Sequence, residues 1–272
     1  MTTPDTDALP SRIGLVAFDL DDTLAPSKTA IDPVMSALLG ELLDLVPVCI
    51  ISGGRYEQFE MQVVRRLDAP AQSLARLHLM PTCGTQYYRY APGAGDFEQV
   101  YAHTLTADER DRALAALEGE AKRLELWEAR TWGPILEDRG TQITFSALGQ
   151  QAPVDAKAAW DPTGERKERL RHAVAALLPD LEVRSGGSTS VDITRQGIDK
   201  AYGMRALTEL AGVGLAEMFF IGDRLDPGGN DRPVLDLGVA CHAVEGWEET
   251  AEYLSGTLLP ELRRRAEAMT PS

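Results

Sequence analysis

The sequence predicts an α/β protein in which a parallel sheet is interrupted by an inserted α+β domain. Two observations carry that expectation. Toward both ends of the chain, short apolar runs alternate with helix-periodic segments, the order that gives a parallel sheet with right-handed crossovers. Between them, residues 87–186 show hairpin and capped-helix signals instead. The core is therefore expected over 1–86 and 187–272, and the insertion over 87–186.

Residues 13–18 are the first apolar run and read as a strand. Asp32-Pro33 then supplies an N-cap and a first-turn proline, with Val34, Leu38 and Leu42 recurring at helical spacing. Residues 46–51 are a second strand, and Tyr56, Phe59, Val63 and Leu67 predict the next helix. In the middle region, residues 87–90 and 100–103 read as strands around a turn at 92–95. Thr106 and Glu109 have capping-box spacing ahead of Leu114, Leu117 and Leu124. Residues 143–145 read as a strand, and Asp161-Pro162 as the start of a helix carrying Leu170, Val174 and Leu177. The first pattern resumes with a helix from Lys200 and strands at 218–221 and 239–243.

With 272 residues, 44% of them apolar, the chain can bury a sizeable core. Its formal net charge of −15 argues against nucleic acid and against an anionic membrane surface, both of which are bound through Lys and Arg. An anionic substrate must therefore meet a local positive site. Cys49, Cys83 and Cys241 are far apart and form no CxxC pair, which disfavours a zinc site or a disulfide framework. The N-terminus lacks an apolar signal region, and the apolar runs are too short to cross a bilayer. A soluble, cytoplasmic protein is expected.

Three apolar runs end in polar clusters: Asp19-Leu20-Asp21-Asp22-Thr23, Ser52-Gly53-Gly54-Arg55, and Gly222-Asp223 through Gly228-Gly229-Asn230-Asp231. Each alone reads as a turn or a helix cap, and Lys200 alone as a surface lysine. In an open parallel sheet, however, the carboxyl ends of strands share one edge, where ligands bind. Brought together, these residues suit phosphoryl transfer. Asp19 is the expected nucleophile, and Asp21 the acid that protonates the leaving oxygen and then activates the acceptor. Thr23, Ser52, Gly53, Gly54 and Lys200 supply hydroxyl, backbone N–H and ammonium groups for the phosphoryl oxygens. Crowded carboxylates need a cation, and all-oxygen ligands suit Mg²⁺. Asp19, the Asp21 carbonyl and Asp223 are its expected ligands, with Asn230 and Asp231 supporting them or holding a second ion.

The ordered set resembles the haloacid dehalogenase superfamily, which implies a Rossmann-like core, an aspartate nucleophile and Mg²⁺. The insertion is similar to the α+β caps of that superfamily's sugar-phosphate branch. Within it, the chain is most similar to the phosphomannomutases, through Gly222-Asp223 to Asp231, the segment Gly186-Gly187-Ser188-Thr189-Ser190-Val191-Asp192, and Asp199-Lys200. That resemblance implies sugar or phosphate binding by Ser190 and Asp192, and substrate binding by Arg139. Asp22 replaces a usual glycine, Lys28 stands where those mutases carry a phosphate-binding arginine, and Gln150 and Lys157 occupy two further arginine positions. Arg55 joins the expected substrate contacts. Since a mutase must hold a second phosphate, these replacements favour a sugar-phosphate phosphatase. The alternatives are a phosphomannomutase and a non-catalytic sugar-phosphate sensor. A homodimer would fit the resemblance.

Overall fold

The computed structural model describes residues 9–186 and 189–269. Among them the strands are, in chain order, β1 (Leu15–Phe18), β2 (Val48–Ile51), β3 (Leu77–Met80), β4 (Gln86–Ala91), β5 (Asp96–Ala102), β6 (Leu136–Asp138), β7 (Ile143–Ser146), β8 (Leu181–Ser185), β9 (Ser190–Arg195), β10 (Met218–Gly222) and β11 (Ala240–Ala243). The chain forms two compact units. One takes the chain up to Tyr101 and again from Asp199; the other is Ala102–Ile198.

In the first unit, the sheet order is β11-β10-β1-β2-β3-β4-β5. Strands β11 through β3 pair in parallel, and β4 runs antiparallel to β3. Val16, Phe18, Val48, Ile50, Phe219 and Ile221 enter one core. The alternate residues Leu15, Ala17, Cys49, Ile51, Met218 and Phe220 enter the other. A sheet buried on both faces explains why its strands are continuous apolar runs instead of alternating ones. Phe18 lies opposite both Ile50 and Ile221, so the ends of β1, β2 and β10 are level. The helix Pro33–Leu45 starts where expected, with the Asp32 carboxylate accepting the Val34 N–H at 2.8 Å. Its buried stripe runs through Met35, Leu38, Leu39 and Leu42, leaving Val34 58% exposed.

The second unit is an antiparallel sheet, β6-β7-β9-β8, with the helices Ala107–Arg123 and Glu165–Leu177. Ile143, Phe145, Val183, Val191 and Ile193 share a core with Ala113, Leu117, Leu170 and Val174 of those helices. The alternation that buries them places Glu137, Thr144, Asp192 and Arg184 in one cross-strand row on the opposite face. One sheet face is thus apolar and the other polar.

The insertion is displaced from its expected 87–186. Strand β4 pairs with β3, through His78 opposite Arg89, and so extends the first unit's sheet. Strand β9 pairs with β7 and β8, which carries the second unit past residue 186. The helix expected from Asp161-Pro162 begins at Glu165, because Gly164 takes the N-cap position with φ of +76°. Asp161 still caps it from farther back, accepting the Arg166 and Lys167 N–H groups at 3.1 and 3.0 Å.

The capping box is present in full: the Glu109 N–H donates to Thr106 Oγ1 at 3.2 Å, and the Thr106 N–H donates to Glu109 Oε2 at 2.7 Å. Arg195 on β9 also donates to both Glu109 oxygens, at 3.0 and 2.8 Å. The Arg195 hydrogen bonds, followed by that of Thr106, lower the Glu109 carboxyl to about 2. A depressed carboxyl contributes stability above its unfolded value and loses it as pH falls toward the folded one. Glu109→Ala is therefore expected to cost about 1 kcal/mol near neutrality. In urea melts, its gap from wild type narrows between about pH 5 and pH 2. By contrast, a Cβ on Gly119, inside the same helix, meets nothing within 4 Å, and Gly119→Ala should stabilise by about 0.5–1 kcal/mol.

Candidate active site

Asp19 follows β1 directly and continues its ladder, its N–H donating to the Ile221 carbonyl at 3.0 Å. Its side chain is buried, and Lys200 lies against it. Lys200 opens the helix Lys200–Ala211, whose N-cap Asp199 accepts the Tyr202 N–H at 2.9 Å. The Lys200 Nζ sits 2.5 Å from Asp19 Oδ1 and 2.5 Å from Asp231 Oδ1, in a side chain only 1% exposed. The residue expected at the phosphate thus bridges two carboxylates.

Asp223 follows β10 as Asp19 follows β1. Asp231 reaches the same place through a loop that folds back on itself. Gly228 turns at φ of +89°, and a Cβ on Gly229 would lie 2.0 Å from the Arg224 carbonyl oxygen. The returning Asp231 carboxylate accepts the Arg224 N–H at 3.0 Å. A Cβ on Gly222 would lie 2.4 Å from that same Oδ2 atom. The glycines of this signature are the space that Asp231 needs.

One carboxylate oxygen each from Asp19, Asp223 and Asp231 lie within 4.8 Å of one another. Burial pushes the Asp19 carboxyl well up, opposed by the Lys200 charge and reinforced by Asp231. Burial also raises Asp223, again reinforced by Asp231. Burial opposes the charged form of Lys200, but Asp19 and Asp231 outweigh it and raise the ammonium's pKa. Three acidic side chains face one ammonium, an imbalance that a divalent cation would offset. The donor set is all oxygen and fits a hard ion.

Thr23 is fully buried and donates to Asp223 Oδ1 at 3.4 Å. Asp22 adopts φ of +61°, the left-handed conformation that glycine favours and aspartate tolerates. The Asp21 carboxylate accepts the Lys28 N–H at 2.7 Å, Gln58 Nε2 at 2.8 Å and Gln62 Nε2 at 3.3 Å. Neither glutamine stood out in the sequence, where both resemble a polar helix face. Ser52 is buried, and its Oγ accepts the Gly54 N–H at 3.2 Å. A Cβ on Gly53 would meet nothing within 4 Å. Arg55 is exposed and 3.6 Å from Glu57, and the Lys28 and Asn230 side chains are also exposed.

The remaining expected residues lie in the second unit. Arg139 forms a largely buried ion pair with Glu137 at 2.9 Å. Thr144 Oγ1 donates to Asp192 Oδ1 at 2.7 Å, and Ser190 lies opposite Ser146 two register positions along. Lys157, on the helix Val154–Trp160, donates to the Gln150 carbonyl at 3.0 Å. Gly187 and Ser188 of the segment leading to Asp192 lie outside the described residues.

The family model for eukaryotic phosphomannomutase matches residues 123–259, half of the chain. Phosphomannomutase 1 of Mus musculus is 24% identical over 265 residues, covering 93% of this chain and 95% of that protein. Among solved structures, the Plasmodium falciparum IMP-nucleotidase superposes with a TM-score of 0.68 at 16% identity, over 92% of this chain and 71% of that one. A haloacid dehalogenase-like hydrolase from Bacteroides thetaiotaomicron gives 0.56 at 15% identity, over 93% and 100%. The chain belongs to the eukaryotic phosphomannomutase family, and its fold is the haloacid dehalogenase fold.

The fold-back of the glycine loop is directly testable. Gly222→Ala forces a Cβ against Asp231 and should destabilise by about 1–3 kcal/mol. Because Asp231 must shift, calorimetric Mg²⁺ binding should weaken together with stability. Unchanged binding would separate Asp231 from the cation site.

Proposed function

We propose that this family member is a magnesium-dependent sugar-phosphate phosphatase acting through an aspartyl-phosphate on Asp19. The observation that supports this chemistry best is the buried Lys200 ammonium held between Asp19 and Asp231 at a sheet edge shared with Asp223. Asp19, Asp223 and Asp231, with the Asp21 carbonyl, would hold Mg²⁺, which when bound supplies positive charge to the phosphoryl oxygens. Asn230 adds an exposed oxygen beside Asp231.

A carboxylate oxygen of Asp19 attacks phosphorus while the bond from phosphorus to the sugar oxygen breaks. Asp21 gives that oxygen its proton. Water then attacks the phosphorus, Asp21 takes back a proton, and the bond to Asp19 breaks. Thr23, Ser52, the Gly53 backbone and Lys200 orient the phosphoryl group. The family resemblance assigns substrate contacts to Arg139, Gln150, Lys157, Ser190 and Asp192 of the second unit, and to Lys28 and Arg55 of the first.

Water is preferred as acceptor because the second unit's cations expected at the substrate already have partners: Arg139 on Glu137, and Lys157 on the Gln150 carbonyl. Gln150 itself is neutral, whereas bidentate phosphate recognition favours arginine. Family membership favours the second reading, interconversion of mannose 1-phosphate and mannose 6-phosphate.

The two readings part in one assay. Mannose 1-phosphate is supplied with and without a hexose bisphosphate, and both inorganic phosphate and mannose 6-phosphate are followed. Steady phosphate release without isomerised product is expected; rapid isomerisation with little release would establish the mutase instead.

A further inference from the structure

The Asp21 carboxylate is held by two side-chain amides from one segment. The helix Tyr56–Phe59 runs directly into a π-helical turn, Glu60–Val64, closed by the Arg65 N–H on the Glu60 carbonyl at 3.0 Å. Such wide turns recur at functional sites. Here Gln58 and Gln62, four residues apart, both aim Nε2 at Asp21.

Gln62 is completely buried, and its amide orientation is determined by its neighbours. Nε2 also donates to the Thr29 carbonyl at 2.6 Å, so turning the amide over would set Oε1 against two acceptors. In the orientation present, Oε1 is buried without a hydrogen-bond partner among the described residues. A packed apolar side chain would avoid that orphaned oxygen. Gln58 needs space of a different kind. A Cβ on Gly54 would lie 2.4 Å from Gln58 Oε1 and 2.8 Å from its Cδ, so the second glycine of the Ser-Gly-Gly turn is where this amide passes.

We propose that Gln58 and Gln62 are positioning residues for the proton transfer, and that Gly54 serves Gln58 as much as the phosphate. The inference rests on the reading of Asp21 as the acid and base. Among the described residues, Asp21 Oδ1 accepts two donors, the Lys28 N–H and Gln62, whereas Oδ2 accepts Gln58 alone. A carboxylate oxygen has two lone pairs, so Oδ2 is the atom left to carry the proton. It gives that proton to the leaving oxygen as the phosphorus–oxygen bond breaks, and receives one from water when the phosphorus–Asp19 bond breaks. Gln58 aims Oδ2, and Gln62 with Lys28 prevents the carboxylate from rotating.

Leaving-group dependence separates this role from a general loss of structure. Single-turnover phenol release is measured for phenyl phosphate, whose leaving oxygen needs a proton, and for 2,4-dinitrophenyl phosphate, whose leaving oxygen needs none. Gln58→Met should lose at least about tenfold more rate on the first than on the second. Gly54→Ala, which displaces the amide without touching Gln58, should show the same selectivity. Equal losses on both esters in both variants, with Asp21→Asn still selective, overturn the positioning role and leave Asp21 as the acid. Equal losses in Asp21→Asn as well overturn the acid assignment, and the inference with it.

Discussion

The structure of the site depends on one ammonium buried between two carboxylates. Removing ionised groups from water costs several kcal/mol each, and Lys200, Asp19 and Asp231 are all excluded from solvent. Their mutual contacts at 2.5 Å offset that cost. The surrounding backbone is shaped to make those contacts. The Asp199 cap fixes the first turn that carries Lys200. The parallel register of β1 with β10 sets Asp19 beside Asp223. The glycines at 222, 228 and 229 let a loop double back so that Asp231 arrives under its own strand end. Asp223 adds a third carboxyl to this cluster, whose all-oxygen donors suit a hard cation.

The convergence of Asp19, Asp223 and Asp231 on this edge was legible because a parallel sheet aligns its carboxyl ends whatever their separation in sequence. Other features were hidden for identifiable reasons. Strand β3 carries His78, which interrupts an otherwise apolar run. In the fold its imidazole meets the Tyr87 hydroxyl at 2.9 Å, and burial, aided by Arg89, lowers it to about 3, so it behaves as a neutral core residue. Strands β8 and β9 alternate apolar with polar residues over only a few positions, too short a pattern to stand out. The hairpin β4–β5 was recognisable as a hairpin, but which sheet it joins depends on the edge of β3 and not on its own residues. Gln58 and Gln62 carry no charge and match no motif. Only the geometry around Asp21 distinguishes them.

The proposed preference for water as acceptor rests on the second unit. Its sheet buries one face among two helices and leaves the other to Glu137, Thr144, Asp192 and Arg184. Within this unit the cations already have local partners, Arg139 in Glu137 and the Lys157 ammonium in the Gln150 carbonyl. A bound anion would have to displace those partners, which weakens recognition of a second phosphate. The proposed phosphoryl transfer onto Asp19 in the first unit is independent of that difference.

That covalent step on Asp19 is the central claim, and trapping it tests the claim most directly. Turnover of a phosphorus-labelled sugar phosphate in Mg²⁺ is quenched in acid, and the protein is digested and mapped. Label on the peptide containing Asp19, absent from the Asp19→Asn variant along with phosphate release, is the predicted result. Label on another residue, or undiminished phosphate release by Asp19→Asn, would contradict it.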